Sequence, residues 1–228
     1  MLTQDEYAEI AEQFRNGCVF CNPDQRLIVA RSERFAVCFD AAPLVPGHLI
    51  LHSTEHLSCA GEVPETWYEE LDEIRTAVRT ELERHYGAVV SYEHGRAGHC
   101  LSDGPEHRLC HHFHLHFVPA DLDVTVDLHR RFKHVPVATY REIPRLYEDF
   151  GDYLFFETVS GEMSYFPVDT EIERHLMRTL ISRAAKTPER ADWRAYRNAD
   201  LLIASMRQLA VHKLDARQTP EAVRRMSI

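Results

Sequence analysis

Three histidines at alternate positions, His112, His114 and His116, are the residues of this sequence with the clearest potential for chemistry. Alternate side chains of a β-strand point to the same face, so the imidazoles form a row while the apolar residues between them can be buried: Phe113, Leu115 and Phe117. A neutral imidazole is a good nucleophile at pH 7, and a protonated one binds phosphate. The row therefore favours a phosphoryl or nucleotidyl transfer site, with a strand of solvated or metal-binding histidines as the alternative.

A pair of cysteines near the start of the chain gives a second candidate site. Cys18 and Cys21 have the C-x-x-C spacing that places two thiolates on one metal ion, although two buried thiols without a metal show the same spacing. A competing set of metal ligands lies close to the histidine row and consists of Cys100, His107 and Cys110. Because the sequence has six cysteines and no export signal, reduced thiols and metal ligation are favoured over disulfides.

The segment His112–Val118 reads His-φ-His-φ-His-φ-φ and resembles the signature of the histidine triad family of nucleotide hydrolases and transferases. Other segments follow the order and spacing of that family: Cys18–Cys21, Phe39–Asp40, Pro46–Ile50 and Glu55–His56. Glu93–Gly95 resembles a variant found in a longer, mainly bacterial branch that has a C-terminal extension. The resemblance covers about residues 16–120.

The resemblance implies a covalent mechanism centred on the middle histidine, His114. Its ring nitrogen would attack the α-phosphorus of a nucleoside phosphate conjugate, expel the group beyond it and leave a nucleotidyl-histidine. His116 would hold a phosphate oxygen or help to protonate the leaving group. We therefore expect a nucleotide hydrolase that cleaves a phosphoanhydride or phosphoramidate. A nucleotidyltransferase with a small-molecule acceptor is the alternative, because the same intermediate serves both reactions.

The resemblance also implies a structural zinc ion. Members that carry the cysteine pair complete a tetrahedron with a histidine shortly after the Pro-Gly-His strand and with the first histidine of the row. The corresponding ligands here are Cys18, Cys21, His56 and His112. Four protein ligands fill all positions of a tetrahedral zinc, so this ion would brace the fold and would not take part in the reaction.

Candidate substrate contacts come from three segments. Asp40 would accept both ribose hydroxyls or be an ordinary turn aspartate, and Phe39 would flank the base or belong to the core. His94 stands where shorter members often have Asn. The residues before the row depart from the family, since His107 and Arg108 stand where small, amide or hydroxyl residues usually contact phosphate. Arg108 would replace the lost contacts with a bidentate clamp.

A function of another class also fits the altered residues before the row, namely a catalytically inactive, zinc-braced nucleotide-binding module. Retention of all three histidines argues against it. The formal net charge of −10 argues against DNA repair and against nucleic-acid binding, since such affinity comes from Lys and Arg that neutralise phosphates. We expect a nucleotide or nucleotide conjugate as the partner, and the resemblance allows a homodimer.

Neither a membrane span nor a secretory signal is evident. The sequence lacks a run of about 18 apolar residues, and Met1–Glu6 is not a basic segment followed by an apolar one. We therefore expect no membrane partner and a cytoplasmic location.

The elements predicted around these residues define an α+β fold. Thr3–Glu6 has the form of a capping box and predicts a helix to about Arg15, and a longer helix is expected between Pro64 and Gly87. Residues 1–120 are expected to form a histidine-triad-like catalytic domain, an antiparallel sheet with helices packed on it. Residues 121–228 are expected to form a mixed extension packed against that domain. It would contain a hairpin at 152–157 and 163–168 and helices at about 170–185 and 198–214.

Overall fold

Eight antiparallel strands form one sheet in the computed structural model, which describes residues 2–13, 18–98, 111–193 and 195–211. The strands of these residues are β1 Ile28–Arg31, β2 Phe35–Phe39, β3 Leu49–Ser53, β4 Val90–Gly95, β5 His114–Val118, β6 Val135–Val137, β7 Tyr153–Glu157 and β8 Met163–Pro167. Their order across the sheet is β1-β2-β3-β5-β4-β7-β8-β6. The predicted α+β fold is confirmed.

Helices cover both faces of this sheet. The described residues contain α1 Gln4–Gln13, α2 Tyr68–Tyr86, α3 Thr125–Arg131, α4 Ile143–Phe150, α5 Leu176–Ala184 and α6 Ala199–Val211. The capping box predicted for α1 is confirmed, because the Glu6 amide donates to Thr3 Oγ1 at 3.3 Å and the Thr3 amide donates to Glu6 Oε2 at 2.7 Å. Among the described residues, none of the helices combines the length and the apolar composition that crossing a bilayer requires.

Alternate side chains of β5 face the apolar core on one side of the sheet and the candidate site on the other. Leu115 and Phe117, together with Phe113 just before the strand, are fully buried in an apolar cluster that includes side chains of α2 and α4. His114 and His116 project from the opposite face of the strand. Burial of the apolar side chains against two helices therefore fixes the direction in which the histidines point.

A second apolar cluster covers the other half of the histidine face. Leu128 of α3 and Met177 of α5 pack there with Tyr92 of β4 and Phe156 of β7. Because α3 and α5 cover only the β4, β7 and β8 side of this face, the part formed by β2, β3 and β5 lines a cavity instead.

The described residues after residue 120 extend the same sheet that carries the histidines. β7 pairs with β4 over five residue pairs, from Ser91 opposite Glu157 to Gly95 opposite Tyr153. The predicted hairpin is present as β7 and β8. The division into a domain of residues 1–120 and an extension stays a prediction, since the strands of both parts form one continuous sheet.

Several element boundaries differ from the expectation. The histidine strand begins at His114, so His112 precedes it, and the helix expected from residue 170 begins at Leu176. The chain turns into that helix at His175, whose φ of +55° lies in the left-handed region. The short elements α3, α4 and β6 were not expected from the sequence, because each is too brief for its periodicity to stand out.

Glu93 of β4 lies on the face opposite the histidines and is only 1% exposed. Its carboxylate accepts hydrogen bonds from the Ala60 amide at 2.9 Å and from the hydroxyls of Tyr153 at 2.9 Å and Tyr140 at 3.1 Å. Burial outweighs these bonds and raises the pKa of Glu93 from 4.5 to about 7.

The contribution of Glu93 to stability should therefore fall as the pH rises from about 4.5 through about 7, because the folded state holds the Glu93 proton more tightly than the unfolded state does. The pKa shift corresponds to a loss of about 3 kcal/mol. Glu93→Gln should remove this part of the pH dependence, measured by urea unfolding at pH 5 and pH 8. Glu69→Gln on exposed helix surface serves as the control. Parallel pH profiles for Glu93→Gln and the parent protein would contradict the prediction.

Candidate active site and metal centre

Two histidines of the row, His114 and His116, face a cavity of about 700 Å³. The floor of the cavity comes from the strands and includes His114 and His116, while the loop that carries the cysteine pair supplies Phe20. Residues from the second half of the chain complete its wall: His175, Arg178 and Trp193. The cavity is thus built by both halves of the sequence.

His114 is held in one orientation by the backbone. Its Nδ1–H donates to the carbonyl oxygen of His112 at 2.6 Å, so the lone pair of the neutral ring is on Nε2. The ring of Phe20 stacks on that of His114, with centroids 4.8 Å apart and planes at 25°. Burial lowers the pKa of His114 and outweighs the opposing effects of the His112 carbonyl and Asp40. The ring is therefore neutral at pH 7, as a nucleophile must be.

His116 lies next to His114 and is fixed by two other rings. Tyr92 stacks on it with centroids 4.4 Å apart and planes at 6°, and His48 Nε2 lies 2.9 Å from His116 Nδ1. Burial, followed by the neighbouring His114 and His48, lowers the pKa of His116 well below 6.5. Gly47, which precedes His48, has a φ of +77° and lies so close to the Tyr86 ring that there is no room for a side chain at this position.

Asp40 lies at the end of β2 and contacts a buried arginine. Its Oδ2 accepts a hydrogen bond from Arg178 Nη1 at 3.1 Å, and its Oδ1 accepts one from the Ala42 amide at 2.8 Å. The pKa of Asp40 is lowered although burial, the largest influence, raises it, because His48 and Arg178 lie beside the carboxylate. The role of Asp40 as a ribose acceptor stays a prediction, and any ribose would meet a carboxylate that already has two donors.

Four predicted metal ligands are brought together beside the row. Ligand atoms of Cys18, Cys21, His56 and His112 lie within 4.8 Å of one another, so this cluster can hold a metal ion. The separation is 3.4 Å from Cys18 Sγ to His112 Nδ1, 3.0 Å from Cys21 Sγ to His56 Nδ1, and 3.3 Å between the two Nδ1 atoms. A tetrahedral zinc with two sulfur and two nitrogen ligands has S–N edges of about 3.5 Å and N–N edges of about 3.3 Å. The four residues fit such an ion.

The backbone prepares His112 for this role. Its Nε2–H donates to the Ser53 carbonyl oxygen at 2.8 Å, which leaves the lone pair on Nδ1, the nitrogen that faces the cysteines. Metal-bound histidines usually have such a partner on the second ring nitrogen, because it fixes the tautomer and the ring orientation. Burial also lowers the pKa of His112 to about 3, so the ring is neutral.

The other predicted substrate contacts have separate outcomes. Phe39 lines the cavity and is also part of the apolar core. Both nitrogens of His94 have partners, since Nδ1 contacts the Ala97 carbonyl oxygen at 3.0 Å and Nε2 accepts from the Met177 amide at 3.2 Å. His94 thereby attaches the start of α5 to β4, and its contact with substrate stays a prediction. Arg108 and His107 lie outside the described residues, as does the competing metal set of Cys100, His107 and Cys110.

The sequence did not assign a role to several residues of the site. His48 had a signal, since it follows Pro46-Gly47 in a segment already noted, but nothing in that segment indicated its contact with His116. Tyr92 could have been found from alternation along β4. Arg178 could not, because its approach to Asp40 joins residues 138 positions apart.

The chain matches a family model. Residues 5–133, more than half of the chain, match the model described as protein similar to CwfJ C-terminal. No curated protein matches the sequence.

Several solved structures are similar to this chain. A hypothetical histidine triad nucleotide-binding protein from Sulfolobus tokodaii is 22% identical, with 45% of this chain and 68% of that chain covered and a TM-score of 0.35. A HIT family hydrolase from Clostridium thermocellum is 22% identical, with 46% and 91% covered and a TM-score of 0.31. Yeast Ap4A phosphorylase, solved in complex with AMP, is 15% identical, with 65% and 63% covered and a TM-score of 0.39. None of these matches bears on the bacterial branch, which stays a prediction.

Proposed function

We propose that this chain, which belongs to the family of proteins similar to the CwfJ C-terminal region, is a nucleotide hydrolase. It cleaves a nucleoside phosphate conjugate, a phosphoanhydride or a phosphoramidate, at the α-phosphate. The reaction passes through a nucleotidyl-histidine on His114.

The observation that carries this proposal is the state of His114. The ring lines a cavity, its Nδ1–H is held by the His112 carbonyl oxygen, and its lone pair is on Nε2. A buried, neutral and oriented imidazole with one nitrogen available to a ligand is what nucleophilic attack on phosphorus needs. A histidine that served only to fill the core would not face a cavity of about 700 Å³.

The reaction has two displacements. Nε2 of His114 forms a bond to the α-phosphorus while the bond from phosphorus to the leaving group breaks, and His116 Nε2–H donates a hydrogen bond to the departing oxygen or nitrogen, which takes its proton from solvent. Water then attacks the same phosphorus, the phosphorus–nitrogen bond breaks, and the proton of that water returns to solvent. The products are the nucleoside monophosphate and the protonated leaving group.

We further propose that the cluster of Cys18, Cys21, His56 and His112 holds a structural zinc ion. The support is the donor set, the tetrahedral spacing of the ligand atoms and the fixed tautomer of His112. The ion would tie the loop that carries Phe20 to the start of β5. Since Phe20 stacks on His114, the metal would keep the nucleophile in place without a role in the reaction.

A transferase is the second candidate, because residues outside the family match also line the cavity. His175 and Trp193 lie there together with the histidine row, and they could contact an organic acceptor that replaces water in the second displacement. The first displacement and its intermediate are the same in both cases.

Intact-mass analysis after brief mixing with a panel of nucleoside monophosphate conjugates tests the function. We expect the mass of the protein to rise by one nucleotidyl group and to return to its original value as the nucleoside monophosphate is released. Turnover without an adduct and with inversion of configuration at the α-phosphorus would exclude the covalent mechanism. Nucleotide binding without turnover or adduct for any conjugate would favour the non-catalytic module.

A further inference from the structure

A chain of contacts connects helix α5 to His116. Arg178 Nη1 lies 3.1 Å from Asp40 Oδ2, the same oxygen lies 3.3 Å from His48 Nδ1, and His48 Nε2 lies 2.9 Å from His116 Nδ1. All four residues are at most 9% exposed. Arg178 comes from the part of the sequence that the family model does not match.

Backbone hydrogen bonds determine where the protons lie in this series of side-chain contacts. The Leu44 amide donates to His48 Nδ1 at 3.2 Å, so this nitrogen accepts and the proton of neutral His48 is on Nε2. His48 Nε2–H must then donate to His116 Nδ1, which places the proton of His116 on its own Nε2. His116 therefore offers a hydrogen-bond donor to the cavity, which can stabilise the charge that develops on a leaving group.

The negative charge of Asp40 disfavours this arrangement of protons on His48 and His116. Its Oδ2 lies 3.3 Å from His48 Nδ1 and 3.8 Å from His116 Nδ1, and a carboxylate there attracts a proton to either nitrogen. Arg178 opposes that attraction because its guanidinium contacts the same oxygen. The guanidinium is itself held by the carbonyl oxygens of Ala42 and Arg190, so it cannot turn away from Asp40 without losing hydrogen bonds.

We propose that Arg178 is a positioning residue that offsets the charge of Asp40 and thereby keeps His48 and His116 in the tautomers that present His116 Nε2–H to the leaving group. The kinetic consequence of this inference rests on the proposed function, whereas the tautomers do not depend on it. The cluster of Asp40, His48 and His116 is close enough to hold a cation, but the arginine already occupies the carboxylate.

The tautomers can be measured without substrate, by NMR of protein labelled with ¹⁵N in histidine. In the parent protein we expect His116 to carry its proton on Nε2, and in Arg178→Met to carry it on Nδ1. Arg178→Met with Asp40→Asn should restore the parent tautomer, because the uncompensated carboxylate is gone. A role of Arg178 in packing alone would not be rescued by a second substitution. An unchanged His116 tautomer in Arg178→Met, or a parent protein with the proton on Nδ1, would overturn the proposal.

The kinetic test compares two leaving groups in single-turnover experiments. Arg178→Met should lower the rate about 10²-fold for an alkylamine phosphoramidate, whose poor leaving group depends on the hydrogen bond from His116, and less than about 5-fold for a 4-nitrophenyl ester, whose leaving group departs without it. Arg178→Lys, which keeps the charge, should retain most of the phosphoramidate rate, and Arg183→Met on the exposed face of α5 should change neither rate. Equal losses for both substrates would contradict a role through His116.

Titratable and charged side chains face His116 from every element packed against it. Each of them can influence the pH profiles of these rates, so their effects must be separated. They are Asp40 at the end of β2, His48 before β3, Tyr92 and His94 on β4, His114 on β5 and Arg178 on α5. If the parent protein neither forms an adduct with any conjugate nor turns one over, the proposed function fails while the NMR result still decides the role of Arg178.

Discussion

Replacement of His114 by Asn should abolish turnover, with a loss of about 10⁴-fold or more in the single-turnover rate. The amide of Asn has no basic lone pair on nitrogen and cannot form the bond to phosphorus. Its NH₂ group can still donate to the His112 carbonyl oxygen, which His114 Nδ1–H now contacts. We therefore expect the fold and the metal content to stay as in the parent protein, measured by circular dichroism and metal analysis.

A matched control separates the chemistry from a general effect of losing a histidine. His134 is exposed and lies on the surface near α3, so His134→Asn should leave the rate unchanged. Full activity of His114→Asn would remove the proposed nucleophile. A loss of both activity and fold would instead mean that the ring is needed for packing against Phe20.

Replacement of Cys18 by Ser should lower metal content and thermal stability together. The substitution removes one of four ligands from the cluster, and binding energy of a structural metal is also folding energy. We expect less than one zinc per chain after dialysis and a loss of about 3 kcal/mol, which for a chain of this size lowers the melting temperature by about 6–12 °C. Metal analysis measures the zinc content, and calorimetry with and without a chelator measures the thermal stability.

Cys59→Ala is the control for this substitution. Cys59 is a buried cysteine outside the cluster, so its replacement should change stability by packing alone and leave the zinc content as it was. A Cys18→Ser protein that is stable, active and free of metal would contradict the structural zinc. A parent protein that purifies with zinc and loses it without a change in melting temperature would do so as well.

The parts of the fold that the sequence predicted are those governed by local patterns. Alternation along β5 places Leu115 in the core and His114 on the other face, and this needs only a strand with one buried side. The long stripe of α2 and the capping box of α1 are local in the same sense. The four metal ligands were named from the family resemblance, and the structure brings their atoms together.

The remaining features depend on contacts between distant parts of the chain. The contact of Arg178 with Asp40 follows from the packing of α5 over β4, which no local pattern encodes. The position of Glu93 among tyrosines also follows from tertiary structure, since Tyr140 and Tyr153 come from the second half of the sequence. A sequence reading could place Glu93 on a strand but could not state its neighbours.

The position of β4 inside the sheet limits how two copies of the chain could associate. β4 is paired with β5 on one side and with β7 on the other, and across the described residues the sheet ends at β1 and β6. β6 has three residues and contains Pro136, and the pairing of β1 shifts register between Ile28 and Ala30. Edge strands that are short, bulged or contain proline pair poorly with a strand of another subunit. A dimer of this protein should therefore form through helix or loop surfaces and leave the ladder of backbone hydrogen bonds confined to each subunit.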